Sequence, residues 1–312
     1  MDSLLKVDNL QVHFVLDDTK VRAVDGVDFE VRKGETFVLI GESGSGKSVL
    51  GMAILRLLPS NVEVKGRVLF DGTDLTGLPE CEMRKVRGRE IAWIPQNPAT
   101  YLNPVLKVGF QIAEPMMVHL GINKEDALHR AIDLLKFFAI DPAEKKANEY
   151  PHQYSGGMKQ RALVAMGTST TPKLIIADEP TKGLDISRKT HVLELFKRIK
   201  KERELTQMVI THDLPFARVL ADRIAIMYCG KLIEINEAEG FFEEPLHPYS
   251  KALLNSLPLN GMKPIRGNPP SMINPPEGCR FHPRCEYASD RCLKEPPLFE
   301  YDGNAVRCWQ YD

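Results

Sequence analysis

Short apolar runs alternate with polar residues along the first part of the sequence. Such alternation predicts β-strands, here at residues 5–7, 12–14, 21–24 and 27–31. The pair Asp17-Asp18 predicts a turn between two of these strands. The continuous apolar run at 36–40 predicts a strand buried on both faces, and it leads directly into Gly41.

The apolar pattern changes to a helical period further along the chain. Apolar residues recur at spacings of three and four from residue 124 to 139, which predicts an amphipathic helix. Apolar runs at 174–177 and 208–211 predict two more buried strands, with a helix at 188–202 between them. Strand, helix and strand in this order predict a parallel sheet, and hence an α/β fold.

The composition changes after about residue 257. Nine of the 22 prolines lie between Pro258 and Pro297, which excludes long helices there. Four of the six cysteines also fall in the last 34 residues. We therefore predict a main domain at 1–257 and an irregular extension at 258–312.

Overall charge gives no indication of a nucleic-acid partner. The chain has 312 residues, with 41 basic against 42 acidic side chains, so no global field attracts polyanions. No apolar run approaches the roughly 20 residues that a membrane-spanning helix needs. The first residues also lack a basic segment followed by a long apolar stretch. We expect a protein on the cytoplasmic side, whose membrane attachment depends on another protein.

The segment after the buried strand carries the pattern G-x-x-x-x-G-K-[ST]. Between a strand and a helix this pattern forms a loop whose backbone N–H groups surround phosphate oxygens. Lys47 is predicted to bridge the β- and γ-phosphates and Ser48 to bind Mg²⁺. The predicted phosphate site consists of Gly41, Ser43, Gly44, Ser45, Gly46, Lys47, Ser48 and Val49.

Two acids end the predicted strand at 174–177. Asp178 suits the surroundings of Mg²⁺, and Glu179 suits a general base that polarises the attacking water. Strand ends of this kind point into the crevice where open α/β sheets bind ligands. An acidic pair alone is weak evidence, but together with the phosphate loop it predicts nucleotide hydrolysis.

A Ser-Gly-Gly sequence lies between the phosphate loop and the acids. Ser155 can cap a helix, and Gly156 and Gly157 leave room for a phosphate at the helix N-terminus. Elsewhere such a sequence is usually only a cap. Its position here resembles that of the signature sequence of ABC transporter ATPases, with Tyr154 where leucine is usual.

The resemblance to ABC ATPases extends over residues 4–312 and implies roles for four further residues. Gln96 matches the Q-loop glutamine, which senses the γ-phosphate and Mg²⁺ beside the membrane subunit. Asp185 matches the D-loop and His212 the switch histidine. Phe14 is the candidate that stacks on adenine, although a core phenylalanine is an equal alternative. The implied fold is a P-loop NTPase core with an antiparallel β subdomain and a helical subdomain at about 97–165.

Two short segments resemble the oligopeptide and dipeptide importers in particular. They are residues 150–153, ahead of the signature, and residues 245–254, which read Pro-Leu-His-Pro-Tyr-Ser-Lys-Ala-Leu-Leu. The resemblance implies a head-to-tail pair with a second ATPase subunit, two transmembrane permease subunits and an extracytoplasmic substrate-binding protein. The chain would then act as a peripheral protein at the cytoplasmic face of the membrane.

Other functions remain open from the sequence. The same subfamily also carries nickel, oligosaccharides and other solutes, and some ABC ATPases act outside transport. An iron–sulfur redox protein that merely binds nucleotide is a further alternative. The complete set of ATPase motifs argues against it.

The clustered cysteines predict a metal site in the extension, because thiols in a reducing compartment favour metal binding over disulfides. Their spacing is C-x5-C-x6-C-x15-C. Structural zinc usually has closer pairs, so we expect a [4Fe-4S] cluster, with zinc or unliganded cysteines as alternatives. Arginines next to the cysteines could offset the negative charge of a cluster. The predicted ligands are Cys279, Cys285, Cys292 and Cys308.

Overall fold

A computed structural model describes residues 2–16, 19–203, 205–258 and 261–312, without the side chains of residues 99, 186 and 187. The predicted turn at Asp17-Asp18 lies outside the described residues. The chain forms two compact units, one made of Met1–Gly77 with Thr211–Asp312 and the other of Leu78–Ile210.

The strands alternate with helices along most of the chain. The strands are β1 Ser3–Leu16, β2 Thr19–Arg32, β3 Thr36–Ile40, β4 Val62–Phe70, β5 Thr73–Asp74, β6 Ile91–Ile94, β7 Leu174–Asp178, β8 Thr206–Thr211, β9 Arg223–Tyr228, β10 Lys231–Glu237, β11 Phe299–Tyr301 and β12 Asn304–Val306. The helices are α1 Lys47–Ile54, α2 Glu80–Val86, α3 Pro98–Tyr101, α4 Val108–Leu120, α5 Lys124–Phe137, α6 Ala143–Ala147, α7 Gly156–Thr168, α8 Ile186–Arg203, α9 Leu214–Leu220, α10 Ala238–Glu243 and α11 Pro248–Asn255.

An antiparallel sheet in the first unit has the strand order β2-β1-β4-β5. Its first two strands are long, and the prediction of four short strands is therefore wrong. The polar residues at 8–9 interrupt the apolar alternation without ending the strand, because the register of β1 shifts there in a β-bulge. Asn9 takes a φ of 45° at this point.

The second sheet of this unit places β3 beside β9 in a parallel pair. The remaining pairs, β9 with β10, β10 with β12 and β12 with β11, are antiparallel. All five residues of β3 are buried, as the continuous apolar run at 36–40 predicts. The buried strand ends directly before Gly41.

In the second unit, β7 pairs in parallel with both β6 and β8. The predicted strand, helix and strand at 174–211 are therefore confirmed. The predicted amphipathic helix is also confirmed as α5, which buries Ala127, Ala131, Leu134 and Leu135. Helix α4 packs against α5 and α7.

The extension after residue 257 contains short 3-10 turns and no long helix among its described residues, as its prolines predict. It is less irregular than predicted, however, because β11 and β12 join the edge of the second sheet. Val306 pairs there with Glu234 of β10. Backbone pairing thus attaches the extension firmly to its unit. Within the described residues, no helix is both long and apolar enough to cross a membrane.

Candidate functional site

The phosphate loop begins where β3 ends, and its backbone requires glycine at two places. A Cβ on Gly46 would lie 2.0 Å from the carbonyl oxygen of Ala23, and Gly46 has a φ of +104°. A Cβ on Gly41 would lie 2.2 Å from the carbonyl oxygen of Met227. The loop is therefore packed tightly against its own unit, as a preformed phosphate cradle requires.

Lys47 lies at the first position of α1, directly after the loop. Its ammonium donates hydrogen bonds to the carbonyl oxygens of Gly41 at 2.8 Å and Glu42 at 2.9 Å. The residue is only 6% exposed, so the charge is held inside the loop. Phosphate oxygens can replace these carbonyl acceptors, and Ser48 and Val49 follow at the helix N-terminus.

The acidic pair closes β7 in the second unit, and both side chains are buried. The backbone N–H of Glu179 donates to the carbonyl oxygen of Ile210 at 2.8 Å, which continues the pairing with β8. Glu179 has a φ of 48°. A left-handed conformation in a residue with a side chain costs about 1–3 kcal/mol and is concentrated at functional sites.

The Ser-Gly-Gly segment forms the start of α7. Ser155 is exposed and caps the helix by accepting a hydrogen bond from the backbone N–H of Met158 at 3.3 Å. A Cβ on Gly157 would meet nothing within 4 Å, and one on Gly156 would meet only Arg188 Nη1 at 3.9 Å. Packing within the chain therefore explains neither glycine, which is expected where an external phosphate approaches the helix.

The remaining predicted nucleotide residues lie at the ends of elements. Gln96 follows β6, and His212 follows β8. Asp185 precedes α8 and accepts a hydrogen bond from the backbone N–H of Arg188 at 2.9 Å. Phe14 lies on β1, where it pairs with Val21 of β2. The nucleotide-binding roles assigned to these residues stay predictions.

The four cysteines of the extension line one cavity of ≈ 80 Å³. The backbone N–H groups of Phe281, Tyr287 and Gln310 act to lower the pKa values of Cys279, Cys285 and Cys308. The bond from Tyr287 to Cys285 Sγ measures 3.4 Å. Donors of this kind stabilise thiolates, which are the form that binds metals.

Burial is the main influence on these thiols. Burial, followed by repulsion from the other three cysteines, raises the pKa of Cys279 to about 11, although a backbone N–H acts in the opposite direction. Burial also raises the pKa values of Cys285 and Cys308. A bound cation would offset both effects, because it stabilises the thiolate form.

The thiols do not converge on a single point. Among the described residues, no three His, Cys, Asp or Glu side chains are placed to bind one metal ion. A zinc ion needs its four ligands at about 2.0–2.3 Å from one centre. The described residues therefore form no site for a single metal ion. The cysteines surround a wider space instead.

The arginines next to the cysteines mostly have other partners. Arg280 bonds Asp25 and the carbonyl of Cys229, Arg284 bonds Glu42 and Tyr228, and Arg307 bonds the carbonyl of Leu232. Of the four, only Arg291 lines the cavity. The charges of Arg280 and Arg284 are thus paired with carboxylates, and the suggestion that the four arginines offset a cluster's charge stays a prediction.

Comparison with known proteins identifies the family. Residues 24–182 match the family model described as ABC transporter. This chain belongs to the ABC transporter family. Residues 233–292 of this ABC protein also match a second family model, described as oligopeptide/dipeptide transporter, C-terminal region.

Full-length relatives agree with this membership. The ABC protein is 42% identical over 321 residues to the oligopeptide transport ATP-binding protein AppD of Bacillus subtilis (strain 168), with 100% of this chain and 98% of the relative covered. It is 39% identical over 311 residues to the oligopeptide transport ATP-binding protein OppD of Escherichia coli (strain K12), with 98% and 92% covered.

A solved structure supports the same fold. The dimeric post-hydrolysis structure of the ATP-binding cassette MJ0796, bound to ADP and Pi, matches this ABC protein with a TM-score of 0.67 and 27% identity. The match covers 75% of this chain and 98% of the other. The predicted α/β P-loop NTPase fold of the ABC type is therefore confirmed.

The sequence motifs of this ABC protein did not indicate the contacts of two residues. His247 lines the cysteine cavity, and Arg284 joins the extension to the phosphate loop. The resemblance of residues 245–254 to peptide importers contained His247 but suggested no chemistry for it. The sequence signal for Arg284 is its place directly before Cys285, which by itself suggests only an offset to the charge of a cluster.

Proposed function

We propose that this chain binds and hydrolyses ATP to power an importer of peptides. The observation that carries the proposal is the tightly packed phosphate loop with the Lys47 ammonium held inside it. Membership of the ABC transporter family supports ATP hydrolysis. The C-terminal match and the names of the relatives support oligopeptides or dipeptides as cargo. Nickel or oligosaccharide is the alternative cargo.

In the proposed mechanism, two ATPase subunits pair head to tail around ATP. The phosphate loop of one subunit and Ser155, Gly156 and Gly157 of the other would contact the same nucleotide. Mg²⁺, bound through Ser48, Gln96 and Asp178, would neutralise charge on the phosphates. Glu179 and His212 would orient the attacking water, and Lys47 would stabilise the transferring phosphoryl group.

Membrane coupling is the second part of this proposal. Two permease subunits would form the pathway, an extracytoplasmic binding protein would deliver the solute, and a related ATPase subunit would complete a heterodimer. The chain would attach at the cytoplasmic face through the permeases. Closure of the ATPase pair on ATP and its opening after hydrolysis would drive the permeases between two states.

The test is reconstitution of the complete transporter in lipid vesicles. We expect this chain to co-purify with integral membrane subunits, and its ATPase activity to rise with peptide-loaded binding protein. Stimulation by nickel or an oligosaccharide instead of peptides would reject the peptide cargo. Full ATPase activity from a soluble homodimer, unaffected by permeases, would reject the heterodimer and the transport role together.

We further propose that Cys279, Cys285, Cys292 and Cys308 bind a [4Fe-4S] cluster. The shared cavity and the backbone N–H of Tyr287, which donates to Cys285 Sγ, support this assignment. A cluster is larger than one ion and suits thiols that surround a space. Zinc remains the alternative, but it fits less well because no three metal-binding side chains of the described residues share one point. When bound, the cluster would cross-link a segment that has little core of its own.

Iron analysis of anaerobically purified protein tests the cluster. About four irons per chain are expected from the cluster type. Cys285→Ser should lower the iron content, whereas Cys81→Ser should not, because Cys81 is exposed and lies outside the cavity. One zinc and no iron in colourless protein would reject the cluster.

A further inference from the structure

His247 has a buried ring nitrogen without a hydrogen-bonding partner. The residue is 1% exposed and lines the cavity that the four cysteines share. Its Nδ1 accepts a hydrogen bond from the backbone N–H of Tyr249 at 3.0 Å. Within the part of the chain that the structure describes, nothing bonds to its buried Nε2.

The bond at Nδ1 determines where the ring carries its hydrogen. A nitrogen that accepts from an N–H donor has no hydrogen of its own, so the neutral ring of His247 is protonated at Nε2. Burial agrees with a neutral ring, since it lowers the pKa of His247 to about 3. An unpaired buried N–H costs about 1–3 kcal/mol. Nε2–H therefore needs an acceptor.

The backbone around His247 holds the ring in place. Both carboxylate oxygens of the buried Glu234 accept hydrogen bonds from the main chain, from Leu246 N at 2.9 Å and from His247 N at 2.8 Å. Pro248 then starts α11, which His247 caps. The rings of His247 and Phe281 pack edge to face, with their centroids 5.9 Å apart. The donor is therefore fixed before any ligand enters the cavity.

We propose that His247 donates its Nε2 hydrogen to a sulfur of the iron–sulfur cluster held by the four cysteines. This inference rests on the proposed cluster. Sulfur is a suitable acceptor, because a cluster with thiolate ligands carries negative charge. Reduction adds one more negative charge and strengthens the bond, so His247 raises the reduction potential of the cluster.

A second histidine of the same cavity provides a matched control. His282 Nδ1 lies 2.8 Å from the carbonyl oxygen of Cys279. A carbonyl only accepts, so Nδ1 carries the hydrogen and the neutral ring has none at Nε2. In this tautomer His282 does not donate from Nε2, although it lines the same space.

The same substitution at both histidines separates the two roles. In His247→Asn the amide oxygen replaces Nδ1 as the helix cap, but the side chain has no N–H at the position of Nε2. In His282→Asn the amide N–H can still reach the Cys279 carbonyl. We expect His247→Asn to shift the redox equilibrium about tenfold towards the oxidised cluster, ~59 mV for a one-electron couple. His282→Asn should shift it far less.

Potentiometric titration followed by electron paramagnetic resonance measures these shifts, with iron content determined on each sample. His247→Gln should recover part of the potential, because its amide nitrogen lies close to the former Nε2. An unchanged potential in iron-replete His247→Asn would overturn the proposal, as would equal shifts at both positions. Wild-type protein without iron would instead reject the cluster itself.

If His247→Asn loses iron, its reduction potential cannot be measured. A second experiment therefore keeps His247 intact. In protein labelled with ¹⁵N-histidine, pulsed electron paramagnetic resonance of the reduced cluster should detect coupling to one ring nitrogen. The coupling should persist in His282→Asn. Its absence from the wild-type protein, or its loss in His282→Asn, would contradict donation by His247.

Discussion

Arg284 donates to the carboxylate of Glu42 at 3.4 Å and thereby joins the cysteine-rich extension to the phosphate loop. The arginine side chain is 6% exposed and also donates to the Tyr228 hydroxyl at 3.0 Å. It directly precedes Cys285. The extension and the predicted nucleotide site are thus in physical contact.

This contact predicts an effect on ATP affinity. Without Arg284 the Glu42 carboxylate loses its cationic partner and repels the phosphates. Arg284→Met should raise the Kd for ATP about tenfold, which corresponds to roughly 1.4 kcal/mol. Isothermal titration calorimetry of the complete chain measures the change. Adding Glu42→Gln should restore affinity, because it removes the charge. A double variant as weak as Arg284→Met would show that charge is not the cause.

Glu179→Gln tests the proposed general base. Gln has nearly the same size, so the left-handed backbone at Glu179 should persist. We expect ATP binding to remain and steady-state turnover in the assembled transporter to fall by roughly 10² or more, as loss of a general base typically does. Turnover close to that of the wild type would exclude Glu179 as the base.

Gly157→Ala should separate folding from hydrolysis. A Cβ there meets nothing within 4 Å, so the free energy of unfolding should change by no more than about 1 kcal/mol, the helix propensity difference between Gly and Ala. ATPase activity of the assembled complex should fall, since the methyl group would occupy the space that a phosphate of ATP is proposed to fill. Urea unfolding and ATPase assays measure the two effects.

Gly46→Ala is the contrasting variant, because its Cβ would overlap the Ala23 backbone at a left-handed φ. It should lower stability and abolish ATP binding together. If Gly157→Ala retained full activity, the proposed phosphate contact at the start of α7 would be wrong.

The lowered pKa of Asp25 makes the free energy of unfolding depend on pH. Burial works to raise its pKa, but Lys231, Arg280 and His13 outweigh burial, and the pKa lies below its ordinary 3.8. Because the folded pKa is depressed, the stabilisation is complete above pH 3.8 and is lost as the pH falls below it. Asp25→Asn leaves Arg280 without its carboxylate and should cost about 3 kcal/mol at pH 7.

Urea unfolding of wild type and Asp25→Asn over a range of pH measures this contribution. The difference in unfolding free energy should shrink as the pH falls below 3.8, the ordinary value of the Asp25 carboxyl. A difference that stayed constant down to pH 3 would contradict the assigned ion pair. Thr73, exposed on β5, offers a neutral control position, and Thr73→Ala should give a pH-independent difference.

The local sequence was sufficient to predict the chemistry of the nucleotide-binding residues. The spacing from Gly41 to Ser48 defines a phosphate loop, because backbone geometry and the lysine position are local properties. The helix predicted at 124–139 and the strands predicted at 174–177 and 208–211 were equally readable, since long periodic or continuous apolar patterns reflect burial directly. The resemblance to ABC ATPases rested on such local motifs.

Tertiary structure alone decided the rest. Whether Asp8 and Asn9 end a strand or form a bulge depends on pairing with β2 and β4, which neighbouring residues do not specify. The meeting of the four clustered cysteines with the more distant His247 in one cavity depends on how the extension packs on β10 and α11. The partners of Arg280 and Arg284 are 255 and 242 residues away along the chain. Contacts over such separations are properties of the packed fold.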